Sequence, residues 1–394
     1  MNMTENSSKL RNSISTNAKH FITIRHTLHA NPELGFEEQQ TAALVVHELQ
    51  ALGLTPIKLA GTGVVAVIDS GHPGKTVALR AELDALPISE QTHLSYQSQQ
   101  PGKMHACGHD GHTATLLAAA SALVACKNQF RGKVKLIFQP AEEACKLGAP
   151  AMIKAGVLEN PKVDAIFAWH NHPGIETSTV VTRFDSALSG NTNIVITIRG
   201  KSGHAATPEH NIDPILIGAA IAQTFPIINQ QLSTNSDPIT MRITEFNSGT
   251  SRNIVPETAI LGGTIRTASI KQREAAKQRI TALVQNLAQA HGATAEVSLI
   301  DYIPPTMNTA TETQQVFATA RRLLGDDRVR IKPQPARASE DFAFYLEKIP
   351  GCYFFIGNGT HTASCHNASY DFNDAILPIA AELLCQIVID YLMV

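Results

Sequence analysis

The sequence predicts an α/β protein in which a mostly parallel sheet is interrupted by a smaller α+β module of ferredoxin-like order. Three observations carry this. Short apolar strands alternate with helical stretches over the first half of the chain. Residues 193–300 read strand, helix, strand, strand, helix, strand. Groups of His, Cys and Glu recur just past strand ends, where open α/β sheets gather their functional side chains.

Residues 1–19 are polar and Ser/Asn-rich, without the apolar stretch of a secretory signal, and are expected to form a flexible leader. Helical periodicity runs from Lys19 to Leu52, broken at Asn31-Pro32 and stopped by Gly53. Strands follow at 63–69 and 76–82, a helix at 111–126, a strand at 133–139, a short helix at 147–156 and a strand at 163–169. After about residue 184 the pattern changes. Strands at 193–199, 239–246, 257–267 and 294–300 enclose helices at 212–232 and 271–291. Site motifs resume only beyond residue 300, with a strand candidate at 352–356. The expected division is a leader (1–19), a first domain split over 20–184 and 300–394, and an inserted satellite at 185–299.

The chain has 394 residues, a length that suggests two or three domains, and its 43% hydrophobic content can fill sizeable cores. A formal net charge of -2 without a basic block argues against nucleic acid or an anionic membrane as partner. The most apolar stretch, 111–126, contains Thr113, Thr115 and Ser121 and fits a buried helix better than a membrane span. Six cysteines over this length are too sparse for a disulfide framework, and free thiols in a reducing cytoplasm are expected. Cys126 and Cys385 lie in apolar helical patterns and are read as core.

Met104–His112 contains Cys107 and His109, a thiol and an imidazole that suit zinc or manganese better than calcium or magnesium. Alone, such a motif is also compatible with surface histidines. Three more clusters follow strands: Glu142-Glu143, His170 with His172, and His366. Cys107, His109, His170, His366 and one Glu can hold one or two divalent ions, and the other Glu can act as base toward a water. The natural reaction class is hydrolysis of an amide or related bond.

The chain resembles the amidohydrolases of peptidase family M20, in particular the subgroup of hippurate hydrolases, N-acyl-amino-acid amidohydrolases and plant auxin-conjugate (IAA-amino acid) hydrolases. The motifs that carry the resemblance are Leu28–Glu38, Arg80–Pro87, Met104–Asp110, Phe138–Glu143, Gly203–Ala206, Ser339–Phe342 and Tyr370–Asp374. It implies an α/β/α catalytic domain with an inserted satellite that mediates dimerisation. It also implies Cys107, His109, Glu143, His170 and His366 as ligands of two divalent ions, with zinc or manganese expected and cobalt or nickel also suited to the donors. Glu142 becomes the general base and His204 a donor to the oxyanion, often in the neighbouring subunit's site. Asn253 and Arg266 become polar substrate contacts. The implied substrate is a small N-acyl amino acid, and the implied setting a cytoplasmic homodimer.

Departures from the subgroup's pattern are Glu82 where Asp is common, Ala-Cys-Lys-Leu-Gly148 after Glu143 where a Gly-rich run is usual, and Ala368 where Pro commonly follows His-Asn. Cys145 in the second of these is read as packing. Asp84, Asp110, His105, His112 and His172 are candidates to hydrogen-bond the ligands. Rival readings are a dipeptidase or carboxypeptidase of the same fold, a non-catalytic metal- or ligand-binding homologue, a Cys107/His109 cysteine hydrolase and a structural dimer scaffold.

Overall fold

The computed structural model describes residues 3–143 and 147–393, so Cys145 lies outside the described residues. Two compact units emerge: Met1–Asp185 with Asn308–Lys332 and Phe344–Val394, and Ser186–Met307 with Pro333–Ala343. The second unit is larger than the 185–299 expected from sequence. Its last strand extends to Ile303, which still pairs with Asn191. Pro333–Ala343 also belongs to it: Ser189 donates its backbone N–H to Ala336 and accepts from the Ser339 hydroxyl.

In the first unit an eight-stranded sheet runs in the order Ile57–Leu59, Gly63–Asp69, Lys133–Gln139, Thr76–Glu82, Ala165–Pro173, Gly351–Gly359, Val180–Thr182, Val329–Ile331. The third to sixth of these are mutually parallel. Parallel strands covered on both faces read as continuous apolar runs, and every residue of Thr76–Glu82 is buried. Because these four strands run the same way, the segments that follow them leave one edge of the sheet. Those segments carry Asp84, Glu142-Glu143 and His366, while His170 and His172 sit at the end of their own strand.

The expected flexible leader is instead the start of a helix, Met3–Ala30. Leu10, Ile14, Phe21, Ile24 and Leu28 are buried, at steps of four, seven, three and four that form one helical stripe. The polar residues between them masked that stripe in the composition. The helix packs on His109–Ala125 and Leu377–Leu392 and ends, as expected, before Asn31-Pro32. Cys126 and Cys385 are buried in this core. Among the described residues two helices are long and apolar enough to cross a membrane, Pro214–Leu232 and Asp374–Leu392, rather than the 111–126 stretch singled out from sequence. The first buries Ile217, Ile221 and Phe225, and the second Leu383, Leu384 and Ile387, in the cores of their units.

Arg25, on the N-terminal helix, is fully buried and donates through Nε to Asp110 Oδ2 at 2.8 Å. Its other nitrogens reach Asp371 and Asp374, and its guanidinium stacks 4.8 Å from the Tyr96 ring centre. His29, one turn on, shares the same Asp110 oxygen at 2.8 Å and meets Glu90 at 3.2 Å. Burial pushes the His29 imidazole down, but Asp110 and Glu90 outweigh it and raise its pKa to about 9. The ring therefore contributes stability that is complete below its ordinary value near 6.5 and fades as pH rises through about 9. Wild type is expected to lose on the order of 3 kcal/mol more than His29→Gln between pH 6.5 and 9.5. Urea midpoints at the two pH values measure this, and parallel losses in the two proteins would remove His29 as the cause.

The second unit contains a four-stranded antiparallel sheet in the order Thr240–Ser248, Thr258–Thr267, Gly190–Arg199, Thr294–Ile303. In chain order that is second, third, first, fourth, the ferredoxin-like arrangement expected from the element sequence. Ile194, Ile196 and Ile198 alternate inward onto Ile217, Ile221 and Phe225 of one helix and Ala276, Ile280 and Val284 of the other. Asp213 and Ser269 cap those helices through side-chain acceptors.

Candidate metal centre

Cys107 and His109 flank Gly108, which opens the helix His109–Ala125 with φ 89°. A Cβ added there would lie 2.2 Å from Asn171 Oδ1 and 2.7 Å from the Tyr370 hydroxyl. Only glycine fits this turn, and it splays the two donors on either side. His109 is buried, with Nδ1 hydrogen-bonded to the Asp84 carbonyl at 2.9 Å and close to its carboxylate at 3.2 Å. Nδ1 is thereby fixed as the donor. Nε2 is buried without a hydrogen-bond partner among the described residues.

His170 repeats the arrangement from the end of Ala165–Pro173. Its Nδ1 donates to the Asn171 carbonyl at 2.7 Å, and its Nε2 lies 3.3 Å from Cys107 Sγ. Glu143 donates its backbone N–H to Asp84 Oδ2 at 2.8 Å, so a single aspartate orients both His109 and the Glu143 backbone. Glu143 Oε1 in turn lies 2.8 Å from His366 Nε2. His366 adopts φ 65°, an unusual conformation for a non-glycine residue, and its N–H is held by the Ala106 carbonyl at 2.7 Å.

All six first-unit residues singled out from the sequence come together. Cys107, His109 and His170 form one group of donor atoms within 4.8 Å of one another; Cys107, Glu143 and His366 form a second; His109, Glu142 and Glu143 form a third. A thiol, three imidazoles and two carboxylates are the donor set of a borderline divalent cation, and the orphaned His109 Nε2 is aimed where such an ion would need it. The electrostatics agree. Burial pushes His109 down, but Asp84, Glu82 and Glu143 outweigh it and raise its pKa to about 10. Glu143 likewise raises His366. The carboxylates thus leave a surplus of negative potential in the pocket. Burial, above all, keeps His170 well below its ordinary value, in the neutral form that ligates. The Cys365 thiol, burial and the Glu143 carboxylate hold the Cys107 thiol well above its ordinary value, a balance that a cation reverses.

The turn that delivers Glu142-Glu143 was only partly legible in the sequence. Ala141 has φ 53°, and its N–H is held at 2.9 Å by buried Glu38, whose other oxygen accepts from Thr62 at 2.5 Å. The Leu28–Glu38 motif was the signal, although it named no role for Glu38. Asn171 was missed as well; it links His112 Nε2, at 2.8 Å, to the Cys365 sulfur, at 3.7 Å. Glu82 is buried between Arg80 and His112, whose Nδ1 lies 2.9 Å from it. Of the other candidate ligand supports, Asp84 acts directly. His172 bonds the Pro173 carbonyl, Asp110 belongs to the Arg25 network, and buried His105 has neither ring nitrogen hydrogen-bonded among the described residues.

His204, Asn253 and Arg266 lie in the second unit. His204 lies in a two-stranded antiparallel sheet, Gly203–His204 with Ile254–Val255, and Asn253 just precedes the second strand, where its carbonyl accepts from the Ala205 N–H at 3.0 Å. His204 Nδ1 accepts from the Ala206 N–H at 3.1 Å, so in the neutral ring Nε2 carries the proton. Arg266 lies on the strand Thr258–Thr267 and donates to the Ser339 hydroxyl at 2.6 Å.

Residues 78–390 match the model of peptidase family M20/M25/M40. The chain is 36% identical to thermostable carboxypeptidase 2 of Saccharolobus solfataricus, over 95% of each protein. It is 35% identical to hippurate hydrolase of Campylobacter jejuni, over 94% of this chain and 96% of that one. The YXEP protein of Bacillus subtilis, described as a dinuclear metal binding peptidase from the M20 family, superposes with a TM-score of 0.87 at 31% identity, covering 96% of this chain and 99% of that one. The chain belongs to peptidase family M20/M25/M40 and is an amide-hydrolysing enzyme.

Proposed function

We propose that this enzyme hydrolyses the amide bond of N-acyl amino acids, with Cys107, His109, Glu143, His170 and His366 holding two divalent ions and Glu142 acting as general base. The observation that carries the reading is the grouping of donors. Two three-donor groups built on Cys107 leave out Glu142, which nonetheless stands against His109 and Glu143. The donor set favours zinc or manganese, and cobalt or nickel also suit it. When bound, such ions supply Lewis-acid activation of a water nucleophile and of the scissile carbonyl.

Glu142 accepts the proton of the attacking water and returns it to the leaving amine. Asp84 fixes the ring of His109 and the backbone of Glu143 while this happens. His204 offers Nε2–H to the developing oxyanion, and Asn253 and Arg266 contact polar groups of the substrate. The enzyme acts in the cytoplasm as a homodimer through its satellite. The exposed apolar side chains Val195, Ile260 and Ile300 on the open face of the four-stranded sheet support that assembly.

Similarity to a carboxypeptidase supports a second reading, in which the same residues cleave a C-terminal peptide bond. Parallel kcat/KM measurements on N-benzoyl, N-acetyl and indole-acetyl amino acids and on acyl dipeptides separate the two. The acyl amino acids are expected to be preferred by at least about 10-fold, roughly 1.4 kcal/mol; a preference for peptides would establish the second reading instead.

A further inference from the structure

Cys365 is not needed by either donor group, yet its segment is fastened beside that of Cys107. Two observations place them together. The His366 N–H bonds the Ala106 carbonyl at 2.7 Å, fastening the two segments together one residue from each cysteine. Consecutive residues of one strand also hold the two sulfurs, His170 Nε2 at 3.3 Å from Cys107 and Asn171 Nδ2 at 3.7 Å from Cys365. Cys107 is 8% exposed, whereas Cys365 is half-buried. Cys126, Cys352 and Cys385 are buried in the apolar interior.

We propose that Cys107 and Cys365 form a redox pair that closes into a disulfide in the metal-depleted enzyme exposed to a hydroperoxide, withdrawing a ligand from the centre. The reading of Cys107 as a ligand underlies the functional consequence, but not the bond itself. The chemistry balances. The Cys365 sulfur attacks the peroxide, the O–O bond breaks, and a sulfenic acid and one water result. The Cys107 sulfur then attacks the Cys365 sulfur; the S–S bond forms as hydroxide leaves and takes the Cys107 proton as a second water. Two thiols are oxidised by two electrons and one hydrogen peroxide is reduced to two waters. A small thiol reverses the bond by exchange. In the loaded enzyme Cys107 is engaged as a ligand and the pair stays reduced.

The test uses full-length protein stripped of metal by a chelator, treated with hydrogen peroxide, and then mapped by non-reducing peptide mass spectrometry. A cross-linked Cys107–Cys365 peptide is expected, with a loss of about 2 Da per chain. Zinc uptake, read by elemental analysis, is expected to fall at least about 10-fold and to return with dithiothreitol. Cys365→Ser should take up zinc normally before treatment and yield no cross-link after it. Separate sulfinic acids on the two cysteines, or a bond from either one to Cys145, would overturn the pair. A Cys107→Ala variant that still takes up two zinc ions would sink the ligand reading, while the cross-link in wild type would continue to support the disulfide.

Discussion

Glu142→Gln lowers kcat by roughly 10²–10⁴-fold with metal content unchanged, because glutamine keeps the shape of the side chain but cannot accept the proton of the attacking water. Elemental analysis beside steady-state kinetics checks both halves. The corresponding change at neighbouring Glu143 is expected to lower metal content as well, because that carboxylate stands 2.8 Å from His366 within a three-donor group. If Glu142→Gln kept near-wild-type turnover, the base would have to be sought elsewhere. If it lost its metal, Glu142 would be a ligand and the division of labour between the two glutamates would be reversed.

Arg25→Met is expected to destabilise the first unit by about 3–5 kcal/mol, although Arg25 touches no residue of the donor set. Methionine retains most of the buried stem. What is lost is the charge that balances Asp110, which is fully buried, together with Asp371 and Asp374. Asp110 follows His109, and Asp371 lies five residues beyond His366. The same arginine therefore ties the helix that carries His109 to the loop that follows His366. Urea unfolding followed by Trp169, the single tryptophan and buried in this unit, reads the loss. A change below about 1 kcal/mol would mean that His29 and water replace the guanidinium without cost.

The sequence showed the strand ends and their ligands clearly because buried parallel strands are unbroken apolar runs and their polar continuations stand out against them. Phe138 running into Gln139-Pro-Ala-Glu-Glu143 and Trp169 into His170 are examples. It showed the satellite equally well, since period-2 burial of Ile194, Ile196 and Ile198 is a local property. It misread the N-terminal helix because five apolar residues spread over nineteen positions are visible as a stripe only when a partner surface defines the buried face. It could not show the left-handed turns at Ala141 and His366, which Glu38 and the Ala106 carbonyl impose from distant parts of the chain. Nor could it reveal that the segment of Cys365 meets that of Cys107 across more than 250 positions, through the hydrogen bond from the His366 N–H to the Ala106 carbonyl. Residue types and strand patterns are local; the hydrogen bonds that aim a ligand are not.

Metal depletion and restoration test the central claim most directly. Protein stripped by a chelator and dialysed is assayed for release of free amino acid from N-benzoyl and N-acetyl substrates, alone and with manganese or zinc added back. The account requires activity to fall at least about 100-fold on stripping and to return as roughly two ions bind per chain. Full activity in metal-free protein, abolished by alkylation of Cys107, would contradict it and assign the hydrolysis to the thiol.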